Sequence, residues 1–255
     1  MNTPRRTSLV RASLILLALG AAACGDDSST NATSSSTTTT VASSATTTTA
    51  KSGAGPLVGT FGISAGDCAG GAVTKGSYFR MVQASGSVSA GPFVSNADSS
   101  CGDKSYSSLA PGSDGGLVTG TFQAQPDPPF DSAKNGLAAR IIAPTKFFAV
   151  GFAASTNAKD PQTGADVTAP QVEVDASGKL TGKVPALSVA WNGQQFNQGS
   201  PKPDGSKPGI TSDISGTYEA GTGAYQLDWA SQIVGGPFNG FTGVWHLEGI
   251  FTKTK

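Results

Sequence analysis

Val172-Glu173-Val174-Asp175-Ala176-Ser177-Gly178-Lys179-Leu180-Thr181 is the stretch whose reading decides the fold class. Apolar and polar residues alternate on both sides of an Ala-Ser-Gly turn. That period of two sets one strand face against a core and the other in water, so the segment reads as a β-hairpin. The same pattern recurs at Thr217-Tyr218-Glu219, a turn at Gly221-Thr222-Gly223, and a second arm beginning at Ala224. Tyr225, Leu227 and Trp229 share one face of that arm. A last strand puts Trp245, Leu247 and Phe251 on one face, with His246 and Glu248 on the other. Phe147 to Phe152 is apolar enough for a central strand. The one helix candidate is a short segment at residues 132–142, which Gly136 weakens. Many short strands with frequent turns predict an all-β fold, either an antiparallel sandwich or a strongly curved, barrel-like sheet.

Outward from the hairpin, four pentapeptides read apolar-x-Gly-x-apolar. They are Leu57 to Phe61, Val118 to Phe122, Leu180 to Val184 and Phe241 to Trp245. In a chain with 34 glycines this spacing arises readily by chance. It serves here only as support for sharply coiled sheet, because glycine on a strand face lets another layer approach.

Two long segments read as loops, residues 155–170 and 192–211, and loops of such length are usually functional or disordered. Before the β-rich part, residues 28–54 are almost wholly Ser, Thr and Ala. That composition buries too little to offset the entropy of ordering, so it reads as a stalk. The organisation expected is therefore residues 1–23 as leader, 24–54 as anchored stalk, and 55–255 as a single all-β domain.

The leader carries Arg5, Arg6 and Arg11, followed by an apolar run from Ala12 to Ala23. A positive start, a short hydrophobic stretch and small residues at its end mark a secretory signal peptide. The run falls short of the roughly 20 apolar residues a spanning helix needs. It ends Ala21-Ala22-Ala23-Cys24-Gly25, which resembles the bacterial lipobox, with Ala21 at the position where leucine is usual. The resemblance implies Sec-type export and a lipid on Cys24. It also implies an extracytoplasmic location, with the membrane as partner through that lipid.

Loss of the three leader arginines leaves 14 basic residues against 17 acidic ones, a net charge of −3. Such a chain presents no electrostatic footprint for nucleic acid. With Cys24 lipidated, Cys68 and Cys101 remain, and outside the cytoplasm they are most simply one disulfide. Metal binding by these cysteines lacks both a CxxC spacing and a nearby histidine, and no metal or cofactor is expected.

Candidate chemistry is sparse. Gly62-Ile63-Ser64-Ala65-Gly66 matches the GxSxG nucleophile pattern, but no α/β alternation surrounds it. His246 is the only histidine, so histidine-dependent catalysis would have to use it, with Glu248 on the same face to orient it. The plainer account is a half-exposed strand histidine beside a carboxylate. Asp160 and Asp166 share a loop that could hold Ca²⁺, although their spacing matches no EF-hand. The most suggestive stretch is Trp191-Asn192-Gly193-Gln194-Gln195-Phe196-Asn197-Gln198. Rings cover the C–H faces of sugars, and side-chain amides bond hydroxyls without charge. Against this stands the ordinary use of tryptophan as a core anchor.

The expectation is a non-catalytic envelope binding protein for a glycan or other small neutral ligand. Trp191, Asn192, Gln194, Phe196, Asn197, Trp245, His246 and Glu248 are its candidate binding residues, with the Gly-Pro-Phe-Asn-Gly turn at Phe238 alongside. The alternatives are a secreted cell-wall hydrolase using His246 with a carboxylate, and a structural or protein-interaction module. Convergence of Trp191, His246 and Glu248 on one concave site would favour binding or catalysis. Their dispersal would favour the interaction module.

Overall fold

Asp175 shows how the deciding hairpin is made. Its Oδ1 accepts hydrogen bonds from the backbone N of Ser177 at 2.7 Å and of Lys179 at 3.0 Å. Gly178 completes the turn in the left-handed region at φ +84°, where glycine meets no Cβ penalty. The computed structural model describes residues 53–254. The expected signal peptide, Cys24 and the stalk as far as residue 52 lie outside the described residues.

In chain order the strands are β1 (Gly55–Pro56), β2 (Gly59–Ile63), β3 (Tyr78–Ser87), β4 (Gly91–Phe93) and β5 (Ser107–Ser108). Next come β6 (Gly116–Val118), β7 (Thr145–Phe147), β8 (Val150–Thr156), β9 (Gln171–Val174) and β10 (Lys179–Lys183). The last are β11 (Leu187–Trp191), β12 (Gln194–Asn197), β13 (Ile214–Tyr218), β14 (Ala224–Gln232) and β15 (Thr242–Lys253). No helix forms among the described residues.

Eleven strands make one curled antiparallel sheet, a half-barrel, in the order β1-β9-β10-β13-β14-β15-β2-β6. Strand β3 lies beside β15 and carries β4 and β5. A second sheet runs β12-β11-β8-β7. The hub is β15. One of its edges pairs with β14 from Thr242 to Ile250. Its other edge is shared, β3 taking Thr242 to His246 and β2 taking Gly249 to Lys253.

Alternation puts Tyr225, Leu227, Trp229, Trp245, Leu247 and Phe251 inside, as the pattern predicts. Phe79 of the half-barrel meets Phe152 of the second sheet at 5.5 Å between ring centroids, and Phe152 lies 6.4 Å from Trp245. Inside the half-barrel Phe61 packs between Tyr225 at 4.9 Å and Phe251 at 4.8 Å. Each such side chain stabilises the fold by about 1.5–3 kcal/mol through burial. Cys68 and Cys101 are joined as a disulfide, as expected.

The coiling does use close glycine contacts. A Cβ on Gly243 would run into Gln198 Oε1 and come within 2.9 Å of the Phe79 ring, while one on Gly182 would meet the backbone oxygen of Gln171. Gly120, by contrast, sits in a turn after β6 at φ +81°. The four glycine pentapeptides are therefore not equivalent positions of a repeat.

Several local expectations change. Phe147 to Phe152 is not one strand but the hairpin β7–β8, reversing at Phe148 and Ala149 with φ +49° and +63°. Residues 132–142 form no helix. Asp131 accepts from Asn135 N at 2.8 Å to close a turn, and Gly136 pairs with Phe130. Gly136 also donates to Gly151 O at 2.9 Å, with Ala153 and Ala190 beside it, so the segment covers the outer face of the second sheet. Residues 192–211 are not one loop either, because β12 occupies Gln194–Asn197. Similarly, β8 extends to Thr156 into the first expected loop.

Candidate functional site

Asn192 and Gly193, at φ +50° and +71°, form the two-residue turn between β11 and β12 and set Trp191 opposite Gln194. Asn-Gly is the pair such turns prefer, because both central residues need positive φ. The hairpin aims Trp191 inward. It is 9 % exposed, and its Nε1 donates to the backbone oxygen of Phe147 at 2.7 Å. The Trp191 ring is thus no open platform for a sugar, and the expectation that it stacks on one is corrected.

Trp191, Phe196 and Trp245 instead line one apolar cavity between the sheets, together with Phe79, Phe147 and Phe152. Its volume is about 30 Å³, enough for a water molecule. The polar residue in its wall is Gln198, whose Oε1 already accepts from Trp245 Nε1 at 3.2 Å. A void lined this way offers water no set of partners and stays dry.

Phe238 is the one wall residue that is not buried. It rides on residues 234–240, a loop closed at its base by Gly240 N to Ile233 O at 2.9 Å and Ile233 N to Phe241 O at 2.7 Å. Its ring lies 5.4 Å from Trp191 and 6.2 Å from Phe147. Phe148 stacks near it at 6.4 Å with the planes 18° apart. Phe148 is 45 % exposed. A bulky residue in the left-handed region costs on the order of 1–3 kcal/mol, and such strain gathers at functional sites.

Side-chain amides lie on and against the Phe238 loop. Gln194 is exposed, and a Cβ on Gly236 would come within 2.9 Å of its Oε1, so it lies against the loop. Asn239 is exposed on the loop itself, where its Oδ1 accepts from Gly235 N at 2.7 Å. The structure therefore brings together the two segments singled out in the sequence, 191–198 and the Phe238 turn. It adds Phe148, which no sequence signal had marked.

No family model, curated protein or solved structure matches the chain.

His246 and Glu248 lie elsewhere, on the opposite face of β15 from Trp245. Nδ1 of His246 is 2.7 Å from Asp228 Oδ1, and its Nε2 is 3.6 Å from Glu248 Oε2. Tyr78 stacks over the imidazole at 4.8 Å. Burial works against protonation of His246, but the bond and charge of Asp228, then those of Glu248, outweigh it and raise the pKa. Glu248 was expected to orient the ring. Asp228 makes the closer contact because it sits directly opposite on β14, and directly opposed residues approach more closely than neighbours two apart on one strand. Both ring nitrogens thus face carboxylates, not a hydroxyl to be activated.

Asn197 is buried and structural. Its Nδ2 donates to Asp160 Oδ1 and to Pro185 O, both at 2.9 Å, so it is not free for a ligand. Thr163 N and Oγ1 fill Asp160 Oδ2 at 2.8 and 2.7 Å. Asp166 pairs separately with Lys159 at 2.7 Å. Among the described residues no group of three His, Cys, Asp or Glu side chains could hold a metal ion. Beside Asn197, Lys202 Nζ donates to Asn197 O at 2.8 Å and to Ser231 Oγ at 2.7 Å. Lys202 is only 6 % exposed, and burial lowers its pKa to about 8 against the attraction of Asp160 and Asp204. Gln162 ties this cluster to the Phe238 loop, accepting from Asn197 N at 3.0 Å and donating to Val234 O.

Proposed function

We propose that the chain is an exported, lipid-anchored envelope protein whose β-domain binds a small neutral ligand without catalysis, a glycan foremost. The observation that carries this reading is Phe148, held in a left-handed turn and exposed beside the half-buried Phe238, whose loop carries Asn239 and lies against Gln194. Exposed rings next to uncharged hydrogen-bonding groups suit the C–H faces and hydroxyls of a sugar. The test is a glycan screen comparing the native chain with Phe148→Asn and Gln194→Ala. Binding that both substitutions abolish is the expected result; no binding at all, or binding indifferent to both, would sink the idea.

Export rests on the arginine-led apolar leader and the lipobox-like Ala21 to Cys24, and a Cys68–Cys101 disulfide suits an oxidising compartment. Lipid on Cys24 would make the membrane a partner. Two or more acyl chains anchor stably where one is marginal. A globomycin-type block of lipoprotein processing should leave the chain heavier by its leader and alter its membrane partition.

A second reading, a protein-interaction module, is favoured by the dispersal of the candidates, with Trp191 buried on β11 and the His246–Glu248 pair on the face of β15 that points away from the core. The hydrolase alternative would need a nucleophile beside His246. Its neighbours there are Asp228, Glu248 and Tyr78.

A further inference from the structure

We infer that the ligand carries an alkyl or aryl group, and that this group enters the inter-sheet cavity when Phe238 swings outward. The inference deepens the binding reading above and rests on it for the polar half of the ligand.

Three observations lead to it. The cavity beneath Phe238 is walled by aromatic rings and aliphatic side chains, and the polar residue among them, Gln198, has its Oε1 engaged by Trp245. The void holds about 30 Å³, so the entering group takes it together with the space that the Phe238 ring vacates; it breaks no side-chain hydrogen bond there, whereas a sugar hydroxyl would lose its partners. The mouth is also defined. Every other wall residue is buried, and Phe238 is the one only half-buried. Finally, the plug is hung on a segment able to move. Gly235, Gly236 and Gly240 flank Phe238 in left-handed conformations, and the hydrogen bonds at residues 233, 240 and 241 close the loop on itself. Two side chains tie it to the rest of the fold, Gln162 at Val234 O and Gln232 at Gly240 O. Phe148, exposed and near-parallel to Phe238 at 6.4 Å, gives the displaced ring a surface to rest on and keeps the sugar-facing patch next to the opening.

The ligand class that fits both halves is a small amphipathic molecule with a neutral, hydroxyl-rich head and a hydrocarbon appendage. Octyl β-glucoside below its micelle concentration and methyl β-glucoside separate the two contributions. Titrations would use the full chain with Cys24→Ser, which needs no detergent, and follow Trp191 and Trp245 fluorescence. The octyl compound should bind at least tenfold more tightly than the methyl compound. Val189→Leu fills the cavity from its buried wall and should remove that advantage while leaving methyl glucoside binding alone. Phe238→Ala opens the mouth and should enlarge the octyl-to-methyl ratio, which keeps the test decisive if Val189→Leu does not fold.

An octyl compound no tighter than the methyl one would overturn the inference and leave the sugar reading standing. An advantage that persists in Val189→Leu and does not grow in Phe238→Ala would overturn it as well. If neither glucoside binds, the sugar reading fails by itself, and indole then decides the cavity. Indole binding that Val189→Leu abolishes supports an apolar site, and absence of indole binding overturns it.

Discussion

Asp228 Oδ1 and His246 Nδ1 face each other at 2.7 Å across β14 and β15. The folded pKa of His246 is raised. The stabilisation this pair contributes is therefore fully present below the unfolded value of about 6.5 and is lost as pH rises through the folded value. Asp228 is half exposed, so the contribution should stay under about 1 kcal/mol. Asp228→Asn should lower the His246 pKa in an NMR titration, where the lone histidine gives an unambiguous signal. The stability gap between the two proteins in urea should narrow as pH rises from below the unfolded value of about 6.5 through the raised folded value. An unmoved titration would show that Asp228 does not hold the ring.

Lys202 behaves in the opposite sense. Its folded pKa of about 8 lies below the unfolded value, so between the two the unfolded chain binds the extra proton and stability rises with pH. The expected gain from pH 8 to about 10.4 is on the order of 2–3 kcal/mol. Lys202→Met should flatten that rise. Parallel stability curves for the two proteins would contradict the assignment.

Phe148 holds positive φ in a turn where Asn or Gly would sit without strain. Replacing it with Asn should leave stability unchanged or raise it by about 1 kcal/mol, because relief of backbone strain offsets the lost ring contacts. Ligand binding should fall together with that gain. A variant that is destabilised by more than about 2 kcal/mol would mark Phe148 as a packing residue.

The Cys68–Cys101 bond spans 33 positions. In the chain-entropy account a loop of that length stabilises by about 3–4 kcal/mol. Cys68→Ala with Cys101→Ala should lower the unfolding free energy by that much in denaturant titrations, and a loss below about 1 kcal/mol would count against the account.

How much of this was legible differs from element to element. The hairpins around Gly178 and Thr222 announce themselves, since alternation and turn residues agree locally. The two faces of β15 follow from the same period. Asn192-Gly193 is an equally clear turn signal, but it lies inside a polar run long enough to pass for a loop. The reversal at Phe148-Ala149 is hidden for a physical reason, because neither residue ordinarily adopts positive φ. Residues 132–142 have helix-compatible composition, yet Asp131 and the bare backbone of Gly136 tie them to the second sheet. At the candidate site, Trp191 and Phe238 were readable as aromatics near amides. Whether a ring faces inward or out depends on what another sheet supplies, and Phe79, Phe147 and Phe152 come from distant parts of the chain. Asp228 and Lys202 were invisible for a related reason: their partners are set by register and by loop packing, not by neighbours in sequence.

The split edge of β15 has a consequence for the order of events in synthesis. Strands β2 and β3, made early, find their shared neighbour only in residues 242–253, made after every other described strand. Pairings this far apart in the chain form slowly, because loop closure precedes any gain from contact. The half-barrel therefore cannot close from its N-terminal end; β2 and β3 lack their shared neighbour until residues 242–253 have been made. A chain that stopped at Gly240 would keep nearly all its residues and have no hub on which to close.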